Sequence, residues 1–138
     1  MAEYVILDAS ITVNAVDLSD HCKSVTLSYD ADMVDSTSMS ATQSRDFLPG
    51  LTNWNISVEF GQDYASSKVD ATLFPLIGAA AFECIVIADG TAGVSATNPS
   101  FTGNTLLQNY QPVQGSVGDH ATTTITLQGT GAITRATS

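Results

Sequence analysis

Residues 53–60, NWNISVEF, set Trp54, Ile56, Val58 and Phe60 in strict alternation with Asn53, Asn55, Ser57 and Glu59. Successive side chains of an extended chain leave opposite faces, so this stretch predicts a strand with one apolar and one polar face. Aromatic and β-branched residues suit such a half-buried pleated surface. Trp54, Ile56, Val58 and Phe60 are therefore core candidates, and packing accounts for the two aromatics without a ligand.

Toward the N-terminus the same period returns in residues 23–30, KSVTLSYD, where Val25, Leu27 and Tyr29 share one face and Ser24, Thr26, Ser28 and Asp30 the other. The following ADMVDSTSMS is polar, and it is expected to fold back across a tight turn near Asp30 to Asp32 in a weakly specified register. Residues 41–51, ATQSRDFLPGL, break all periodicity. They are expected to form a loop that exposes Phe47 and Leu48 beside Arg45 and Asp46, ahead of the Pro49-Gly50 step. Residues 11–18, ITVNAVDL, predict a short strand that turns at Asn14.

Toward the C-terminus, Ser67 with Asp70 three residues on resembles a helix cap, and Val69, Leu73, Leu76 and Ile77 recur at helical spacing. Pro75 limits that helix to two or three turns, with Leu73 and Phe74 taken as its contribution to the core. Residues 82–88, FECIVIA, are almost continuously apolar and predict a strand buried on both faces, Glu83 excepted. Further strands are expected over 104–110 and 122–127. The GTAG of residues 90–93 and the GTG of residues 129–131 read as turns, and the chain from about residue 129 reads as a flexible, extended C-terminal arm. The sum is a mainly β chain, an antiparallel β-sandwich of about seven strands with one short flanking α-helix, in a single domain over residues 1–138.

The 138 residues suffice for one core. Fourteen acidic residues against four basic ones give a net charge of −10, which excludes a conventional nucleic-acid binder and permits a surface that repels phosphates. MAEYVILDAS lacks the basic and apolar regions of a signal peptide, and the longest apolar run, Leu73 to Phe82, falls short of a membrane span, so no membrane association is expected of the monomer. Cys22 and Cys84 have no metal-ligand spacing and nothing marks an oxidising compartment; the two could in principle pair, and buried free thiols are the simpler reading.

No chemistry assembles from the motifs. His21 and His120 each follow an aspartate, but nothing else converges on them, and exposed turn histidines are the simpler reading. Asp30, Asp32 and Asp35 lack the glycine and distal glutamate of a calcium loop. The glycine-rich steps are followed by no lysine and no helix. The expectation is a protein that is not an enzyme, with no cofactor, no catalytic residue and no metal site.

Three blocks carry a family resemblance. They are VNAVDLSDHCKSVTLSYDADMVDSTSM at 13–39, SRDFLPGLTNWNISVEFGQDYASSKVDATLFPLIG at 44–78 and SATNPSFTGNTLLQNYQPVQGSVGDHATTTITLQGTGAITRAT at 95–137. Together they cover most of the chain and are similar to the major tail (tail tube) proteins of long-tailed, non-contractile phages infecting actinobacteria. The resemblance implies hexameric rings stacked into a tube, a conduit for genome ejection. It also implies a place in the virion tail after assembly in the host cytoplasm. Implied partners are further copies of the chain, tape measure and tail terminator or tail tip proteins, and viral double-stranded DNA that passes without specific binding.

Within that reading Ser24, Thr26, Ser28 and Asp30 are the candidates for the lumen, because strands facing water on one side alternate in this way. Arg45, Asp46, Phe47 and Leu48 are the candidates for contact between rings, the alternative being that Phe47 and Leu48 fold back on the core. Rival readings are a head-to-tail joining or head decoration protein, and a carbohydrate-binding β-sandwich, which would expose aromatics on one face.

Overall fold

The computed structural model describes residues 5–39 and 44–138. In chain order the strands are β1 (Ser10–Val13), β2 (Val16–Asp17), β3 (Cys22–Asp35), β4 (Phe47–Gly61), β5 (Phe82–Ile87), β6 (Ser100–Asn109) and β7 (Thr122–Ala136), with one helix, α1 (Val69–Leu73), between β4 and β5. All the strand pairs are antiparallel, and they form one sheet in the order β2-β1-β5-β6-β7-β4-β3.

β2 and β3 lie at opposite ends of that sheet, yet only Leu18 and the 3-10 turn Ser19–His21 separate them in sequence. Five Cα steps reach at most about 17 Å, so the two ends must approach each other and the sheet must roll. The expected sandwich is thus one hydrogen-bonded sheet wrapped around its own core. That core gathers Ile11, Val13, Leu18, Trp54, Ile56, Val58, Phe60, Val69, Leu73, Leu76, Phe82, Cys84, Val86, Leu107, Ile125 and Leu127 into one cluster. β1 and β2 are joined through Asn14 and Ala15, both at positive φ (49° and 67°), the twist that a two-residue hairpin turn requires.

Trp54 stands where the sheet forks. β4 pairs with β7 from Asn55 to Gly61 and with β3 alone before that, while β7 beyond Gln128 pairs with β6. The indole lies on Gly103 and Gly129, where an added Cβ would fall 2.4 and 2.2 Å from ring atoms, and its Nε1 donates to the Gly131 carbonyl at 3.1 Å. Only glycine leaves room for the ring at these two positions.

Several expectations are corrected. The chain does not turn at Asp30 to Asp32, because β3 runs on to Asp35 with a register shift between Ala31 and Met33. Phe47 to Leu51 are strand, with Phe47 opposite Asp35 and Leu48 opposite Val34. The segment after Gly129, expected as a turn and a flexible arm, continues β7, and Thr130, Thr134, Arg135 and Ala136 are paired to β6. β5 is not buried on both faces: Phe82, Cys84 and Val86 face the core, Glu83 is exposed, and Ile85 and Ile87 are half-buried.

Ser67 caps nothing. Its φ is +62°, Lys68 occupies the N-cap position, and no side chain caps the helix. Phe74 is not core, being 64% exposed. Pro75 lacks an N–H and the chain tightens into a 3-10 turn, Phe74–Leu76, which puts Leu73 and Leu76 inward and Phe74 outward. Cys22 and Cys84 are both free thiols, Cys22 half-buried and Cys84 buried, with burial pushing the Cys84 thiol up to about 12.

Candidate functional site

Two surfaces stand out, one polar and one apolar. The polar one is the side of the sheet turned away from the core. Residues directly opposite in antiparallel strands share a face, so the register assigns it. Ser24 pairs with Glu59, Thr26 with Ser57, Ser28 with Asn55 and Asp30 with Asn53. On the far side of β4, Asn55 pairs with Gln128, Ser57 with Thr126 and Glu59 with Thr124. The result is a band three strands wide of hydroxyls and amides whose charged members, Asp30 and Glu59, are both acidic. Gln128 Nε2 donates to Asn53 Oδ1 at 2.6 Å and ties the band across β4 and β7. Lys23 falls in the register shift between Cys22 and Ser24 and does not join these pairs.

The apolar surface is the projecting ribbon made by the end of β3 and the start of β4. Met33, Val34, Phe47, Leu48 and Leu51 are all exposed there, Phe47 by 53%, Leu48 by 58% and Leu51 by 82%. The ribbon's far end, where β3 passes into β4, is fastened by polar contacts. Arg45 Nη1 meets Asp35 Oδ2 at 2.9 Å, Ser36 N donates to the Asp46 carbonyl at 2.8 Å, and Asp46 N donates to Thr37 Oγ1 at 2.8 Å. Hydrogen bonds from Thr37, with a further one from Arg45, hold the Asp35 carboxyl below the usual range.

The same rolled sheet occurs in solved assemblies. A chain in the virion of the native gene transfer agent particle superposes with a TM-score of 0.72 over 94% of this chain and 95% of that one, at 20% identity. A chain in the tail of the empty gene transfer agent particle, computed with helical refinement and C6 symmetry, gives 0.70 over 93% of each at 18% identity. A chain in the sheath-tube complex of an extracellular contractile injection system in its extended state gives 0.71 over 99% and 94% at 15% identity. The chain has the fold of these assemblies. No family model matches it, and no curated protein does.

Measured against the sequence reading, Ser24, Thr26, Ser28 and Asp30 lie together on one strand and one face, and Phe47 and Leu48 lie exposed on the ribbon rather than folded on the core. Arg45 and Asp46 sit at the ribbon's far end, within the connection between its strands, of which residues 40–43 lie outside the described residues. The reading missed Asn53 to Glu59 and Thr124 to Gln128 as the rest of the polar band. The polar half of NWNISVEF carried that signal, but only the pairing shows which strands stand side by side. Among the described residues no three of His, Cys, Asp and Glu gather as a metal site, and no helix is long and apolar enough to cross a membrane.

A second polar network braces the helix. Tyr110 OH donates to Asp70 Oδ1 at 2.6 Å, and Gln62 Nε2 donates to Tyr110 OH at 3.2 Å and to the Pro112 carbonyl at 2.7 Å. Burial, helped by the bond to Asp70, pushes the Tyr110 phenol up to about 12. This network holds the loop before β7 against α1 and offers no convergent reactive group.

Proposed function

We propose that this protein is the tail tube subunit of a long-tailed phage, resembling those of non-contractile actinobacterial phages, and that it serves structure rather than catalysis. Six copies close into a ring, the rings stack, and the tube conducts double-stranded DNA during ejection. The observation that carries this reading is the continuous band over β3, β4 and β7, in which paired hydroxyls and amides face water with Asp30 and Glu59 as the charged members, Lys23 standing exposed beside Ser24 at one end of it. Such a wall keeps a hydrated DNA backbone away, because each lysine or arginine would add a sticking point for phosphates. The shared fold with chains from tail and sheath-tube assemblies supports it.

In this arrangement Ser24, Thr26, Ser28 and Asp30 line the lumen. Arg45, Asp46, Phe47 and Leu48 belong to the contact between rings, which buries an apolar ribbon otherwise left in water. Ring closure also protects the free edge of β3, and head-to-tail stacking, which never closes on itself, gives a filament. Tape measure, terminator and tip proteins are the partners that set the ends and length.

Negative-stain microscopy of the concentrated protein tests the proposal, with hollow tubes wide enough for duplex DNA as the expected result. Closed rings that never stack would instead make it a joining protein, and a monomer that persists at every concentration would count against self-assembly.

A further inference from the structure

His21 sits in the 3-10 turn that joins the two ends of the rolled sheet, and its side chain is only 18% exposed. Its Nδ1 is 2.8 Å from Asp20 Oδ1 and its Nε2 is 2.8 Å from Asp63 Oδ2. A neutral imidazole carries one N–H, so it can satisfy only one of two carboxylates, whereas the imidazolium donates to both. We propose that His21 is a proton-dependent latch which, as the imidazolium, fastens the seam of the rolled sheet to the loop that leads from β4 into α1.

Asp63 is the pivot of that loop. Its Oδ1 accepts from Ala65 N at 2.9 Å, its carbonyl accepts from Asp70 N at 3.0 Å, and its own N–H donates to Gln62 Oε1 at 3.0 Å. Through Gln62 the pivot reaches Tyr110 and Pro112, so the seam is bound by the Asp63 side chain, and α1 and the loop before β7 by its backbone. The other charged or titratable groups close by are few. Lys68 Nζ lies 3.9 Å from Asp20 Oδ2, the His120 ring packs on Gly61 at the end of β4, and the Cys22 thiol on β3 turns toward the Ser24 carbonyl. Two carboxylates against one lysine leave a local field that favours a cation at His21.

Burial works against the charged ring, yet the hydrogen bonds to Asp20 and Asp63 outweigh it and hold the His21 pKa above the ordinary histidine value. A raised folded-state pKa places the sign. The latch contributes its full stability below the unfolded value of about 6.5 and loses it as pH rises through the folded value. Losing the proton leaves one N–H for two carboxylates and turns the other short contact into a facing pair of lone pairs, which weakens the latch. The latch is a property of the single chain and holds whether or not the chain forms tubes.

Thermal unfolding of the full chain from about pH 5 to about pH 9, together with ring nitrogen NMR of the wild type, tests it. Wild type should lose a few degrees of melting temperature across the upper half of that range relative to His21→Gln. Asp63→Asn should blunt the step, and His120→Gln should keep it. The His21 ring should titrate above about 6.5. A His21→Gln protein with the wild-type pH step, or a His21 ring that titrates below that value, would overturn the latch; if the variant does not fold, the wild-type ring titration decides alone.

Discussion

From Trp54 onward β4 alternates buried with half-buried residues and is flanked by β3 and β7, whereas from Phe47 to Asn53 the same strand pairs with β3 alone and every residue is exposed. One half is specified by what it buries. The other is held out in water by hydrogen bonds to a single partner, a marginal arrangement for a two-stranded ribbon by itself. Apolar side chains such as Leu51 and Phe47 gain nothing for the isolated subunit there, so the contrast separates residues that build the core from exposed apolar residues that do not.

The comparison breaks most visibly at the fork. Trp54→Ala should cost about 3–5 kcal/mol in denaturant unfolding, since it empties a large buried site and removes the bond to Gly131. Gly129→Ala should cost about 1–3 kcal/mol by the same assay, because a methyl placed 2.2 Å from the indole forces the ring or the strand to move. Replacing Phe47 and Leu48 together by serine should leave the monomer within about 0.5 kcal/mol of wild type, while pelletable polymer disappears. A large stability loss there would make the ribbon part of the core. The smallest effect on the fold belongs to Asp30→Lys, which should leave the melting temperature unchanged but make assembled tubes retain duplex DNA at low salt and release it at high salt; tubes that ignore DNA in both forms would remove Asp30 from the lumen.

The contrast also explains what could be read from residues alone. NWNISVEF was legible because one face is buried and the other is not, which imposes a period of two. The ribbon was not legible because both of its faces meet solvent, so Phe47 to Leu51 carry no period and Pro49-Gly50 reads as a loop. The run from Gly129 to Gly131 looked like a turn for a different reason: Gly129 is there to admit the indole of Trp54, a residue distant in sequence, and Gly131 takes a positive φ (80°) where its carbonyl accepts the indole N–H, neither of which local pattern can register. Phe74 was misplaced because helical spacing assumes a helix that Pro75 replaces with a tighter turn. The alternation of Ser24, Thr26, Ser28 and Asp30 was enough to group them, but the width of the polar band depends on strand order, and strand order is long-range information. His21 was read as exposed because its second carboxylate, Asp63, comes from 42 residues away.

The position of β7 has a consequence for synthesis. It is the last strand to be made, and it lies near the middle of the sheet, between β6 and β4. While the chain is still being translated, β3 with β4 and β1, β2, β5 with β6 can exist only as two separate hairpin-like pieces joined along the seam. Non-local pairing of this kind is slow to form, and here it cannot be completed until β7 itself has left the ribosome. A chain truncated before Thr122 therefore lacks the strip that unites its halves.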